Sequence, residues 1–239
     1  MNLYPVNLNI QNKLCVIVGG GEVAGRKIRS LVNCGAKVVV ISPVISAEIE
    51  GIASSGEIEL RKRNYQNDDL DGAFLVFAAT NEPNVQQAVV DEAKRKSILI
   101  NSVDDPSSCS FQVPARVRRG NFMLTVSTGG SSPALASKLR KDLEEEYGLE
   151  YEHFVNLLAR IREKVVVDGN TSDSHKLLFE KLLQLNILQR IQKADWVSLQ
   201  QELGSILPEG MDVDELIDSI QPTCTHNPSS NGPSGQKLR

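Results

Sequence analysis

The chain has 239 residues, more than one nucleotide-binding domain needs, with 41% hydrophobic and 23% charged side chains. That predicts a core-forming globular protein of one large or two modest domains, and a formal charge of −4 argues against a general binder of nucleic acid or membrane surface. No apolar run reaches the roughly 20 residues of a membrane span, and Met1–Gln11 has neither the basic flank nor the apolar stretch of a secretory leader.

Leu14–Val18 is a continuous apolar run and predicts a buried strand. Glu22–Asn33 follows as a helix with Val23, Ile28, Leu31 and Val32 at apolar positions, ended by Gly35. Lys37–Ile41, Ile58–Arg61, Phe74–Ala79 and Ile98–Asn101 read as further strands, with a helix over Asn84–Lys96 before the last. Apolar strands separated by helices predict a parallel sheet covered on both faces. From Phe111 the rhythm changes. Met123–Ser127 is a short strand, Gly129–Pro133 opens a helix reaching Tyr147, and residues 150–220 keep only helical spacing, as in Leu178, Leu182, Leu185 and Leu188. Residues 222–239 are rich in Pro, Ser, Asn and Gly and are expected to be a disordered tail. The expected fold is α/β: an N-terminal Rossmann-like parallel sheet over 1–112, a region with a short β segment over 113–149, and a helical domain over 150–221.

Gly19-Gly-Gly-Glu-Val-Ala24 joins the first strand to the first helix in the G-x-G-x-x-A form of a dinucleotide fingerprint. Gly19 permits the tight turn, Gly21 lets the backbone approach a pyrophosphate, and Ala24 lets the helix pack on the strand. The plain alternative is a tight turn that needs glycine for its own sake. The second strand ends in Ile41-Ser-Pro-Val44, without the acidic residue that often holds a ribose 2′-hydroxyl, so these residues leave NAD and NADP undivided. Ala78-Ala-Thr80-Asn81 brings small residues to the carboxyl edge of the sheet, either beside a cofactor or as a packed turn.

Asp104 and Asp105 follow the fifth strand, where a substrate can meet a nicotinamide; a carboxylate there serves as a general base, or simply forms an Asp-Pro turn. Cys109 is close by, with no histidine near it in sequence to activate a thiol. Between Asp105 and Asp142 there is no acidic residue, whereas Arg116, Arg118, Arg119, Lys138, Arg140 and Lys141 are basic. The same window holds Thr128-Gly129-Gly130-Ser131-Ser132, whose amides and hydroxyls suit an anion at a helix start. Arginine forks match carboxylates bidentately, so the window predicts a site for a carboxylated ligand. Helical pairs Lys138–Asp142, Arg140–Glu144 and Lys141–Glu145 would absorb half of that charge. No residue is assigned to a resident metal. The cysteines at 15, 34, 109 and 224 form no C-x-x-C pair, which fits reduced thiols in a cytoplasm.

Gly19–Lys27, Val39–Pro43, Phe77–Asn81, Asn101–Asp104, Phe111–Ala115 and Ser127–Ala134, in this order and spacing, resemble the precorrin-2 dehydrogenase and sirohydrochlorin ferrochelatase family of siroheme synthesis. The resemblance implies NAD as cofactor and oxidation of precorrin-2, an octacarboxylate tetrapyrrole, to sirohydrochlorin. It implies ferrous iron as a second substrate in bifunctional members, and a homodimer formed through 113–149. It assigns catalysis to Asp104, NAD contacts to Glu22, Val23, Pro43 and Val44, and to Thr128 the place of a serine phosphorylated in some members. No fused methyltransferase is expected within these residues. A reading from another class is a non-catalytic NAD-sensing module whose helical half binds a partner. Neither reading involves nucleic acid or a membrane.

Overall fold

The computed structural model describes residues 3–103, 105–167 and 172–221; Asp104 and the expected tail lie outside them. The chain divides into two compact units, Met1–Val113 and Pro114–Arg239.

In the first unit the strands are β1 (Leu14–Val18), β2 (Lys37–Ile41), β3 (Ile58–Arg61), β4 (Leu75–Ala78) and β5 (Leu99–Ser102). The helices are α1 (Glu22–Val32), α2 (Ala47–Ser54) and α3 (Pro83–Arg95). All strand pairings are parallel, in the order β3-β2-β1-β4-β5, so the chain reverses direction across the sheet between β1 and β4. That switch is where open parallel sheets of this kind take ligands. Successive strand side chains point to opposite faces, and both faces are covered. Cys15, Ile17, Val38 and Val40 pack with Ala24 and Ile28 of α1 and Ile49 of α2, while Val16, Val18, Val39 and Ile41 pack with Val89, Val90 and Ala93 of α3. Burying each such aliphatic side chain contributes roughly 1.5–3 kcal/mol, which explains why the strands read as unbroken apolar runs.

Helix α1 ends as expected. Gly35 takes φ 72, its N–H bonds Val32 O at 2.8 Å and the Ala36 N–H bonds Leu31 O at 3.2 Å, the paired bonds of a left-handed helix stop. Helix α2 was not expected. It has one fully buried side chain, Ile49, and a glycine at 51, so its apolar spacing is faint. Its signal is Ser46, whose hydroxyl caps the Ile49 amide at 3.4 Å.

Between β3 and β4 the chain runs without strand or helix and is anchored by polar groups. Glu92 of α3 is 2% exposed and accepts bonds from the Tyr65 hydroxyl, Asp68 N at 3.1 Å, Leu70 N at 3.3 Å and Lys96 Nζ at 2.9 Å. Burial alone would raise its carboxyl, but the bonds from Tyr65, Lys96 and the two amides outweigh it and hold the group below the usual carboxylate range. Among the described residues no strand pairs with the outer side of β5. Ser110 takes that place: its N–H bonds Ile100 O at 2.9 Å and its hydroxyl receives the Ile100 N–H at 2.7 Å.

The second unit opens with an antiparallel hairpin of β6 (Ala115–Arg119) and β7 (Phe122–Val126). Gly120, at φ 54, holds the first central position of its two-residue turn. Strand β7 was expected one residue later, over 123–127, and β6 was not expected, because alternate arginines at 116 and 118 mask its strand character. Helices α4 (Pro133–Glu146), α5 (Glu150–Val167), α6 (Ser172–Gln184), α7 (Ile187–Gln192), α8 (Trp196–Gly204) and α9 (Val213–Asp218) complete it. Leu157, Ile161, Leu182, Ile187, Leu199, Leu203 and Leu216 form the centre of their core. Among the described residues no helix is long and apolar enough to cross a membrane.

Candidate functional site

The glycine turn lies at the carboxyl ends of β1, β2 and β4, and its three glycines have separate reasons. Gly19 takes φ 131, and a Cβ there would stand 2.0 Å from the Ala79 carbonyl oxygen. Its N–H bonds Ile41 O at 2.9 Å, so it ties three strand ends together. At Gly20 a Cβ would stand 2.0 Å from Val44 O, in the loop after β2, and the Gly20 carbonyl receives the Ser46 N–H at 2.8 Å. That demand was not foreseen, because Gly20 occupies the unspecified position of the fingerprint. At Gly21 a Cβ would meet no described atom within 4 Å. Protein packing therefore does not require this glycine.

Gly21 is exposed and is the N-cap of α1, with no side-chain cap bond. The first amides of α1 thus start a helix lined by backbone alone, and a phosphate is the natural partner for such donors. This bare cradle fits the diphosphate of a dinucleotide. Ala24 is fully buried, Val23 half-buried and Glu22 exposed. Around the cradle, Pro43 and Val44 are exposed, Val44 by 76%. Ser42 is buried, and its hydroxyl donates to Val44 O at 2.6 Å within its own loop. Thr80 Oγ1 accepts the Glu82 N–H at 3.2 Å, opening α3.

Asp104, the expected catalytic residue, lies outside the described residues. Its neighbours are fixed. The Val103 N–H bonds Ala78 O at 3.1 Å, and Asp105 Oδ1 accepts the Ser107 N–H at 3.0 Å and the Ser107 hydroxyl at 2.5 Å. Bonds from Ser107 and Ser108 hold the Asp105 carboxyl below its usual range. Asp105 is therefore the turn-forming member of the pair. Cys109 Sγ is 3.2 Å from both the N and O of Ser102, fastening this turn to the end of β5.

In the second unit Arg116 stands opposite Thr125 and Arg118 opposite Met123 across the hairpin. Arg118 Nε also donates to Gly120 O at 2.9 Å. Arg119 has a task the sequence did not disclose. Its guanidinium donates to Tyr147 O at 3.1 Å and Glu144 O at 3.0 Å, the last carbonyls of α4, where a cation complements the helix dipole. These bonds orient the guanidinium beside the end of α4. Of the expected helical pairs, Arg140–Glu144 forms.

The Thr128–Ser132 turn is closed on itself. Gly129 and Gly130 take φ 60 and 86. The Gly129 N–H bonds Ser127 Oγ at 3.2 Å, the Ser131 N–H bonds Thr128 O at 3.0 Å, and the Ser132 N–H bonds Thr128 Oγ1 at 3.1 Å. Ser132 then caps α4 through Leu135 N at 3.3 Å. Three amides of the turn and the Leu135 amide of α4 are thereby occupied.

Residues 6–115 match a family described as NAD(P)-binding, and residues 124–146 one described as the central part of sirohaem biosynthesis proteins. Siroheme synthase of Nitrosomonas eutropha is 37% identical over 185 residues, covering 77% of this chain and 39% of that protein. Siroheme synthase 1 of Aeromonas hydrophila is 32% identical over 221 residues, covering 92% of this chain and 46% of that protein. The chain thus spans less than half the length of these curated relatives. A solved structure of SirC, precorrin-2 dehydrogenase, superposes with a TM-score of 0.67 at 27% identity, covering 80% of this chain and 100% of that one.

Proposed function

We propose that this chain, which is similar to siroheme synthases and to SirC, precorrin-2 dehydrogenase, carries out NAD-dependent dehydrogenation of precorrin-2 to sirohydrochlorin. The observation that carries this reading is the uncapped, glycine-lined start of α1 at the switch point of a parallel sheet. NAD, when bound, supplies the hydride acceptor. The chain's own residues do the rest. Gly19 and Gly21 shape the cradle, Glu22, Val23 and Ala24 present the first turn of α1, and Pro43, Val44 and Thr80 border it. The Asp104 carboxylate accepts the proton that leaves the macrocycle as the hydride departs. Arg116, Arg118, Arg119 and the hydroxyls and outer faces of Thr128, Gly129, Gly130, Ser131 and Ser132 receive the substrate's carboxylates, Arg119 from a guanidinium anchored on the end of α4.

In the same reading residues 1–112 hold the cofactor, 113–149 form the dimerisation region and 150–221 a helical domain, in a cytoplasmic protein. Leu135 and Leu139, one turn apart on α4 and 47% and 39% exposed, support the homodimer; light scattering that finds a monomer at micromolar concentration removes it. Asp104→Asn should lower the rate of sirohydrochlorin formation at least ~100-fold, the usual weight of a positioned proton acceptor, while calorimetry still detects NAD binding. Undiminished turnover in that variant overturns the catalytic role. Adding ferrous iron to the sirohydrochlorin product, with and without protein, decides chelation: equal rates exclude it.

A further inference from the structure

In sheets of this order the adenosine ribose is read at the end of the second strand. A carboxylate there takes the 2′-hydroxyl of NAD, whereas a nearby arginine accommodates the 2′-phosphate of NADP. This chain has no carboxylate among Ser42, Pro43 and Val44, and the Ser42 hydroxyl is committed to Val44 O. The cations are close. Arg61 is in register with Ile41, the last residue of β2, and the Arg61 carbonyl receives the Ser42 N–H at 3.2 Å. Lys62 and Arg63 follow directly. By charge alone this corner should welcome a phosphate.

Each of those cations is matched by an anion. Arg61 reaches Glu59 at 2.7 Å and Asp69 at 3.4 Å, Lys62 reaches Glu50 at 3.9 Å, and Arg63 sends both guanidinium arms to Asp69 at 2.6 and 2.7 Å. Asp69 is the shared partner. Its side chain is 6% exposed, and it also accepts the Gln66 N–H at 2.8 Å. The Arg63 fork holds its carboxyl below the usual range, so it stays ionised. Arginine forks suit phosphate and carboxylate equally in geometry. A 2′-phosphate would therefore have to displace a carboxylate already seated, desolvated and bidentate, whereas a 2′-hydroxyl makes no such demand.

We propose that Asp69 is a specificity-determining residue that favours NAD over NADP by retaining Arg61 and Arg63; this rests on the dinucleotide reading above. The test is calorimetric titration of the full chain with NAD, NADP, adenosine 5′-monophosphate and adenosine 2′,5′-bisphosphate. Wild-type protein should prefer the ligands lacking the 2′-phosphate. Asp69→Asn should move the NADP-to-NAD affinity ratio towards NADP by about tenfold, the scale of one charge-assisted fork. Adding Arg61→Ala and Arg63→Ala should return it. Glu59→Gln frees Arg61 from its exposed partner without touching the buried carboxylate, and should move the ratio the same way by a smaller factor even if Asp69→Asn does not fold. Ratios unchanged in the folded variants overturn the proposal while leaving NAD binding intact. Wild-type protein that binds neither dinucleotide overturns the dinucleotide reading and this one with it.

Discussion

Two helix starts in this protein look alike in sequence and differ in structure. Both α1 and α4 follow a strand through a small-residue turn with two or more glycines. At α1 the turn is all glycine, the N-cap has no side-chain bond, and the backbone donors face outward. At α4 the turn carries Thr128, Ser131 and Ser132, and its own hydroxyls and carbonyls occupy four amides. Glycine leaves a helix start available, whereas hydroxyl side chains complete it. The first leaves its donors to a ligand's phosphate, whereas the second is capped by its own side chains.

Substitutions can break this contrast or sharpen it. The largest effect belongs to Gly19→Ala, which combines φ 131 with a Cβ 2.0 Å from Ala79 O. It should cost more than about 3 kcal/mol in urea unfolding. Glu92→Gln comes next and touches neither helix start. Loss of the buried charge opposite Lys96 should cost about 2–3 kcal/mol. Glu92 and Asp69 are both held below their ordinary values in the folded state. Their contribution is therefore complete above pH ~5, where the unfolded groups are ionised too, and is lost as pH falls through the lower folded values. Wild-type stability should drop steeply below that point, and Glu92→Gln should flatten the drop; parallel acid limbs would contradict the assignment.

Gly21→Ala separates ligand from packing. With open space at its Cβ, it should cost no more than about 1 kcal/mol of stability, yet weaken NAD binding about tenfold or more by covering the cradle. A variant that binds NAD as wild type would erase the distinction between the two starts. Ser132→Ala should do the reverse at the smallest scale, removing about 1 kcal/mol through the lost cap. Lower substrate affinity in the same variant would support the substrate contact proposed for Ser132, and unchanged affinity would remove it.

The sheet was legible because parallel strands buried on both faces write themselves as apolar runs, and all five were foreseen within a residue or so. Helix α2 and strand β6 were not, since one buried isoleucine and a run of alternating arginines carry little periodic signal. At the cradle, Gly19 and Gly21 followed from the fingerprint. The need for Gly20 did not, because it arises from the Val44 carbonyl, a contact that exists only once β2 lies beside β1. Glu92 and Asp69 were invisible for the same reason. A carboxylate on a helix or in a loop reads as solvated until the fold closes Tyr65, Lys96, Arg61 and Arg63 around it. Arg119 adds a role that charge counting does not disclose: its guanidinium also meets the last carbonyls of α4.

The sheet's last boundary has a consequence for solubility. An open edge strand offers a ladder of donors and acceptors on which another chain can template, the route to fibrils. Here β5 is shielded at Ile100 by the main chain and hydroxyl of one residue, Ser110, in place of a sixth strand. Ser102, two residues on and facing the same edge, is covered by the Cys109 thiol, so that side of the sheet is closed to edge-to-edge pairing by one serine and one cysteine of the same short turn.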